Sequence, residues 1–437
     1  MSQLKAGAAQ IDITPGLGAH LLGYFNDRQA TDIMDPLRAK AIAVSNGDTT
    51  LGFVICDLIT VPTEYVNAAK ALISERHDLA PENVLIAGTH THTGPALRAS
   101  LGTPAQEGYG DWVVSRIADA FSMALAHLEP AQFAHAAGSC PGEVHNRRWH
   151  MKDGSVRMNP GYQNPEALRP AGPTDPQLGL MIFRSPEGRI IAALGNLSLH
   201  YVGVEINHNV VCADYFAAFG RALNRFAGSE FVCPMANGTF GDVNNCDFTK
   251  PARKSLTITG KIERVANVVA AEAWRAWSSL REEDFSDDVP LGAKLTQVNF
   301  AARCPSDEEL AAAQALYSSG EKPEDQEWIY AREVVLCAEG PKEWPMPIHS
   351  LRIGDLGIVG LPGEVFTEIG LDIKQRSPFA QTMNIGIANG TVGYVATDRA
   401  LDEGSYETRL CRHVRAPKGT GKLWADTAIA GLEELSK

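Results

Sequence analysis

Apolar positions along the chain recur with two periods, and the places where one period gives way to the other mark out its elements. Near the N-terminus, short apolar segments are cut by turn residues. AQIDIT stops at Pro15-Gly16, and LRAKAIAVS meets TTLGFVICD through Asn46-Gly47-Asp48, where the Asn-Gly pair predicts a β-hairpin that ends in Asp57. A helix is predicted from Pro62 to about Ser74, followed by a buried strand over 83–89, NVLIAGT, which runs directly into His90-Thr91-His92-Thr93-Gly94-Pro95. Asp111 stands where it can cap a helix whose Val114, Ile117, Phe121, Leu125 and Leu128 share one face until Pro130 stops it.

From 138 to 176 neither period holds, and the chain turns polar and rich in Gly, Pro, Asn and Arg, as expected of an irregular active-site wall. LGLMIFR and RIIAALGNLSLH predict another hairpin, which delivers His200 at a strand's end with Glu205, Asn207 and His208 just downstream. DYFAAFGRALNRF behind Asp214 predicts a helix, MANGTFGDVNN a loop, 258–280 a long helix and 293–300 a strand. Ser306-x-x-Glu309 is a capping box that opens an inserted helix, so 303–345 is expected to be a helical insertion. LRIGDLGIVGLPGEVF predicts a strand pair turning at Gly354-Asp355, the second strand ending at Glu364. With hairpins and crossover helices both present, an α/β fold follows, with central mixed β-sheets flanked by helices. No internal repeat or linker stands out, so 1–437 is expected to be a single large catalytic domain.

Charge narrows the partners. Lys and Arg number 39 against 52 Asp and Glu, a net of −13, and no basic block gathers phosphates, which argues against nucleic acid. No leader and no run of 18 apolar residues is found, so a cytoplasmic protein without stable membrane association is expected. Eight cysteines without a CxxC pair fit reduced, mostly buried thiols. A metal would therefore be held by histidines and carboxylates.

Two histidines at i and i+2 of a strand face one side and can present both imidazoles to one centre, which singles out His90 and His92 and turns Thr91 away. The competing reading is a polar turn whose histidines are capped by carbonyls. His200 could bring a further imidazole or be a satisfied core histidine. Glu364, after Leu361-Pro362-Gly363, could point into a pocket or merely sit at a helix N-terminus. Arg147-Arg148 could clamp an anion or form a solvated face, and Tyr394 and Tyr406 lie in a Gly-rich stretch where tyrosines usually pack. Cys212 and Cys246 carry no cysteine-hydrolase signature.

In order along the chain, AQIDITPGLGAHLLGY, Ala87-Gly88-Thr89-His90-Thr91-His92-Thr93-Gly94-Pro95, Asn146-Arg147, Asn196 to His200 with Asn207-His208 and Asp214, Gly241-Asp242-Val243, Leu361-Pro362-Gly363-Glu364 and Tyr394 to Tyr406 resemble the neutral/alkaline ceramidase family, zinc amidases that cleave an N-acyl bond. The resemblance implies one zinc per chain, held by His90, His200, Glu364 and Tyr394, with His92, Arg147, Tyr406 and Glu364 as catalytic groups. It implies attack on an amide carbonyl by water that zinc activates, Glu364 or His92 taking the proton and Arg147 and Tyr406 stabilising the oxyanion. An esterase or lactonase on the same site, and a non-catalytic metal-binding relative, are the other expectations. Departures lie where a lipid would be gripped. Asn244-Asn245 follows Gly241-Asp242-Val243 where the family has Ser-Pro-Asn, 138–176 and 303–345 look individual, and neither a secretion signal nor a C-terminal β-sandwich is seen. A small or medium soluble N-acyl substrate is therefore expected rather than ceramide. The oligomeric state is open.

Overall fold

The alternation along the first hairpin gives its strands two dry faces. In Arg38–Ser45, Ile42 and Val44 point to one side and Ala39, Ala41 and Ala43 to the other, and all five are fully buried. Such a strand belongs inside a layered α/β protein, with packing above and below. A computed structural model describes residues 3–204, 209–255, 257–320, 322 and 325–437. Glu205, Asn207 and His208 lie outside the described residues.

One motif builds the molecule three times. Three antiparallel strands are followed by a helix, a fourth strand parallel to the third, and a second helix. In the first unit these are Lys5–Asp12, Arg38–Ser45 and Thr50–Cys56, then helix Thr63–His77, strand Val84–Gly88 and helix Tyr109–Ala126. The second runs Gln132–Ser139, Gln177–Arg184 and Ile190–Leu197, then Asp214–Ala227, Met235–Asn237 and Gly260–Trp277. The third runs Leu291–Ala301, Glu343–Ile353 and Leu356–Gly360, then Thr367–Arg376, Gln381–Ile385 and Thr420–Leu435. In each of these three sheets the spatial order is fourth, third, second, first, with Glu129–Pro130 added beyond the first strand of the first. The third and fourth strands are parallel and the other pairs antiparallel. The protein thus does contain an internal repeat, contrary to the sequence reading.

The inner faces of the three sheets share one core, where Phe53 and Leu85 meet Phe183 and Leu194, and Ile358 and Met383. Each outer face is covered by its own helix pair: Ile73 and Phe121 in the first unit, Phe219 and Val269 in the second, Ile373 and Trp424 in the third. The fourth strands meet at the centre, where the Gly386 N–H donates to the Asn237 carbonyl at 3.0 Å and the Asn389 N–H to the Ile86 carbonyl at 2.7 Å. Their C-terminal ends, and those of the third strands, open on one side, the usual place for a site in an α/β fold.

The two segments flagged as irregular or inserted occupy equivalent places, the connection between first and second strands. In the second unit this connection is not wholly irregular: Arg148–Met151, Val156–Met158 and Ala167–Pro170 form a small sheet. In the third it carries helices Asp307–Tyr317 and Gln326–Glu339, the former opened by the Ser306/Glu309 capping box with both of its hydrogen bonds made. Three expectations need correction. Helix Tyr109–Ala126 starts after Gly108, whose φ of 68° only glycine adopts cheaply, so Asp111 lies in the first turn and is no cap. The strand before Glu364 ends at Gly360, and Glu364–Val365 instead pairs in parallel with Tyr394–Val395. Within MANGTFGDVNN, Met235–Asn237 is the second unit's fourth strand, too short for its periodicity to show. Among the described residues, no helix is long and apolar enough to cross a membrane.

Candidate metal centre

His90 and His92 converge, though not by strand alternation. The strand ends at Gly88, and His90 sits beyond it with φ 76°, in the left-handed region. Its Nδ1–H donates to the Ile59 carbonyl at 2.9 Å, which fixes the tautomer and leaves Nε2 bare toward the interior. Thr91 does not turn outward. It is fully buried, and its hydroxyl reaches the Cys212 carbonyl at 2.7 Å and Asp214 Oδ2 at 3.0 Å. Asp214 also accepts from the backbone N–H of His92 and of Gly203, so this one carboxylate ties the first unit's loop to the second unit.

His200 follows the third strand of the second unit, and Glu364 the third strand of the third unit. Ring centroids of His90, His92 and His200 lie 4.9, 4.6 and 5.0 Å apart pairwise, with one nitrogen from each within 4.8 Å of the others. His200 Nε2 is 3.1 Å from His92 Nε2. Glu364 Oε2 stands 3.4 Å from His90 Nε2 and 3.7 Å from His200 Nδ1, and it is buried without a hydrogen bond among the described residues. A buried carboxylate oxygen without a hydrogen bond beside two imidazoles, with a third adjoining them, is the arrangement a cation would satisfy. Burial lowers His90 to about 3 and holds His92 and His200 well below the usual imidazole value, so all three are neutral, the form that binds a metal. Burial raises Glu364 to about 7, against the pull of Arg147. Two or three imidazoles with a carboxylate suit a divalent ion of the zinc type.

Arg147 and Arg148 are buried, so the solvated-face reading fails. Arg147 donates to Glu407, to His200 Nδ1, to the Gly241 carbonyl and to the Tyr394 hydroxyl, at 2.9, 2.9, 2.9 and 3.0 Å. Arg148 takes the other oxygen of Glu407 at 2.9 Å. Glu407, fully buried between them, was missed by sequence reasoning. Its signal would have been the charge itself, since two adjacent interior guanidinium groups require a carboxylate. Tyr394 is held protonated, well above its ordinary value, chiefly by burial. Tyr406 is half-buried, its ring 5.8 Å from that of Tyr394, and its hydroxyl has no hydrogen-bond partner among the described residues.

Two cavities meet at this cluster. One of about 380 Å³ is bordered by His90, His92, Glu364, Tyr394 and Tyr406 together with apolar side chains. Another of about 280 Å³ is bordered by His92, Arg147, His200, Asn244, Tyr394 and Tyr406. His92, Tyr24, Tyr394 and Tyr406, with Gly23 and Leu101, line both of them.

No family model matches the chain. It is 22% identical over 413 residues to the neutral ceramidase of Pseudomonas aeruginosa, which covers 81% of this chain and 60% of that protein. It is also 22% identical over 487 residues to the neutral ceramidase of Mycobacterium tuberculosis, covering 92% and 73% respectively. The crystal structure of the Pseudomonas aeruginosa neutral ceramidase superposes on 99% of this chain with a TM-score of 0.77 at 19% identity, and 75% of that structure is covered. A ceramidase complexed with C2 gives a TM-score of 0.79 over all of this chain and 76% of that one, at 18% identity. The fold is the neutral ceramidase fold, and the chain spans about 60% of the length of the first of these curated relatives.

Proposed function

We propose that this chain, related in sequence to the neutral ceramidases and built on their fold, is a zinc-dependent hydrolase of the amide bond in a small or medium N-acyl substrate. The observation that carries the reading is the buried Glu364 Oε2, without a hydrogen bond among the described residues, beside neutral His90 and His200, with His92 completing the imidazole cluster. His90, His200, Glu364 and Tyr394 would hold the ion. Bound there, zinc supplies Lewis acidity and a water acidic enough to attack near neutral pH.

The chain's own groups do the rest. The two cavities share His92, Tyr24, Tyr394 and Tyr406 as lining, so the acyl and amine arms of one amide can lie one in each with the scissile carbon between them. His92, neutral and bordering both cavities, transfers a proton. The Tyr406 hydroxyl donates to the developing oxyanion, and Arg147, locked by Glu407, keeps His200 and Tyr394 in place.

Zinc measured by mass spectrometry on wild type and on the His90→Ala/His200→Ala double variant, coupled to a panel of N-acyl amines and matched esters, tests the proposal. One zinc per wild-type chain, its loss in the double variant, and turnover of amides over esters are expected. Full zinc occupancy in the double variant, or turnover of esters alone, would refute it.

A further inference from the structure

Three arginines line the larger of the two cavities at the centre: Arg98, Arg412 and Arg415. Two are neutralised. Arg98 forms a two-pronged pair with Glu64, and Arg412 pairs with both oxygens of Glu333 at 2.8 Å. Arg415 differs. It is 1% exposed, yet its acceptors are the Arg303 carbonyl at 2.9 Å and Cys304 Sγ at 3.5 Å, with the Trp344 ring 5.6 Å from its guanidinium carbon. No carboxylate stands within ion-pair distance of it among the described residues. A buried cation without a counter-charge is costly, and an anion reaching it from the cavity would offset that cost.

The free donor is Nη1, which makes no hydrogen bond among the described residues. Gly340 lies against it: a Cβ at 340 would stand 2.8 Å from Nη1. The φ of Gly340 is −75°, open to any residue, so the atom a side chain at 340 would meet most closely is Nη1 itself. Gly340, Leu336, Pro341 and Trp344 all border the cavity and all come from 303–345, the inserted segment. The insertion therefore builds an apolar wall that ends at an uncompensated guanidinium, in the same cavity as His90 and Glu364.

We propose that Arg415 is the anion-binding end of the substrate cavity, and that the preferred substrate is an amide whose arm in this cavity ends in a carboxylate. This rests on the amide-hydrolase reading of the centre and narrows its substrate class. Apolar side chains, Leu97, Leu101 and Leu336 among them, hold the methylene stretch, and Nη1 takes the carboxylate through a charge-assisted hydrogen bond. Burial strengthens that bond, because little water competes for either partner.

The test uses the N-benzyl amide of octanoic acid and the N-benzyl monoamide of octanedioic acid, which differ in the terminal carboxylate. Wild type should favour the carboxylate-ended amide by about tenfold or more in kcat/KM, the scale of a hydrogen bond to a charged group. In Arg415→Met that ratio should fall at least tenfold, through KM, with folding verified by thermal unfolding. If Arg415→Met fails to fold, Gly340→Ala, whose methyl crowds Nη1, should lower the same ratio. Equal turnover of the two amides by wild type, or a ratio unchanged in these variants, overturns the proposal. If neither amide is turned over, calorimetric binding to the metal-free protein decides. Tighter binding of the carboxylate-ended amide that Arg415→Met abolishes keeps the anion site and removes the hydrolase reading, whereas equal binding of the two amides removes the anion site.

Discussion

A left-handed backbone at a residue with a Cβ costs about 1–2 kcal/mol, and His90 carries that cost at the centre of the site. It is not alone. Asp214, at the start of helix Asp214–Ala227, and Ile387, Asn389 and Ser405, in connecting segments, have φ of 52°, 45°, 59° and 87°. The strain is offset by bonds such as Asp214 to Thr91 and Asn389 to Ile86. At this scale the two tyrosines should separate. The proposal gives Tyr394, hydrogen-bonded to Arg147 and facing Glu364, to the metal, and Tyr406, whose hydroxyl has no hydrogen-bond partner among the described residues, to the oxyanion. Tyr394→Phe should weaken zinc binding in a chelator competition. Tyr406→Phe should keep zinc and lower kcat by about 10²–10³ with little change in KM, and kinetics within threefold of wild type would make it a packing residue. Away from the centre, burial lowers Lys70 to about 7, opposed by Glu82, and its other ionisable neighbour, His349, is kept neutral. A lysine whose folded pKa is depressed binds its proton less well folded than unfolded, so its destabilising effect is full below about pH 7 and fades as pH rises to about 10.5. Lys70→Met should therefore be more stable than wild type by more than about 1 kcal/mol at pH 6, and the gap should close toward pH 10 in denaturant titrations.

At the scale of elements, legibility followed length. Helix Gly260–Trp277 and strand Leu291–Ala301 lie close to the bounds that periodicity predicts, because several turns or pleats repeat the same burial. Met235–Asn237 and Glu364–Val365 are too short to carry a period and are strands only because a neighbour pairs with them. The site was legible by residue type but not by geometry: the histidines and Glu364 stand out in the sequence, while the bend that aims His90 comes from contacts across the molecule. Glu407 stayed hidden because its partners precede it in the chain by some 260 residues. The capping box is the opposite case, a wholly local signal. Ser306→Ala should cost about 1 kcal/mol within helix Asp307–Tyr317, read as about fivefold faster amide exchange there. Because that helix is largely exposed, the global unfolding midpoint should hardly move.

For the whole molecule, the threefold repeat was invisible in the sequence because only burial patterns recur. The shared core asks for apolar residues of varied size, and the connections between first and second strands have diverged into a loop, a small sheet and a helix pair. Each unit gives the cluster something different: imidazoles from the first and second, a carboxylate and phenols from the third. This division has a consequence in time. During synthesis His90 and His92 leave the ribosome long before Glu364 and Tyr394, so a half-made chain offers an ion two or three imidazoles and no carboxylate from the last unit. On the proposed reading, firm capture of the ion waits until the third unit has docked, and the ion would then seal a finished protein. In refolding from denaturant with zinc present, protection of zinc from a chelator should rise with the slowest folding phase. Protection that precedes it would mean that the first two units hold the ion on their own.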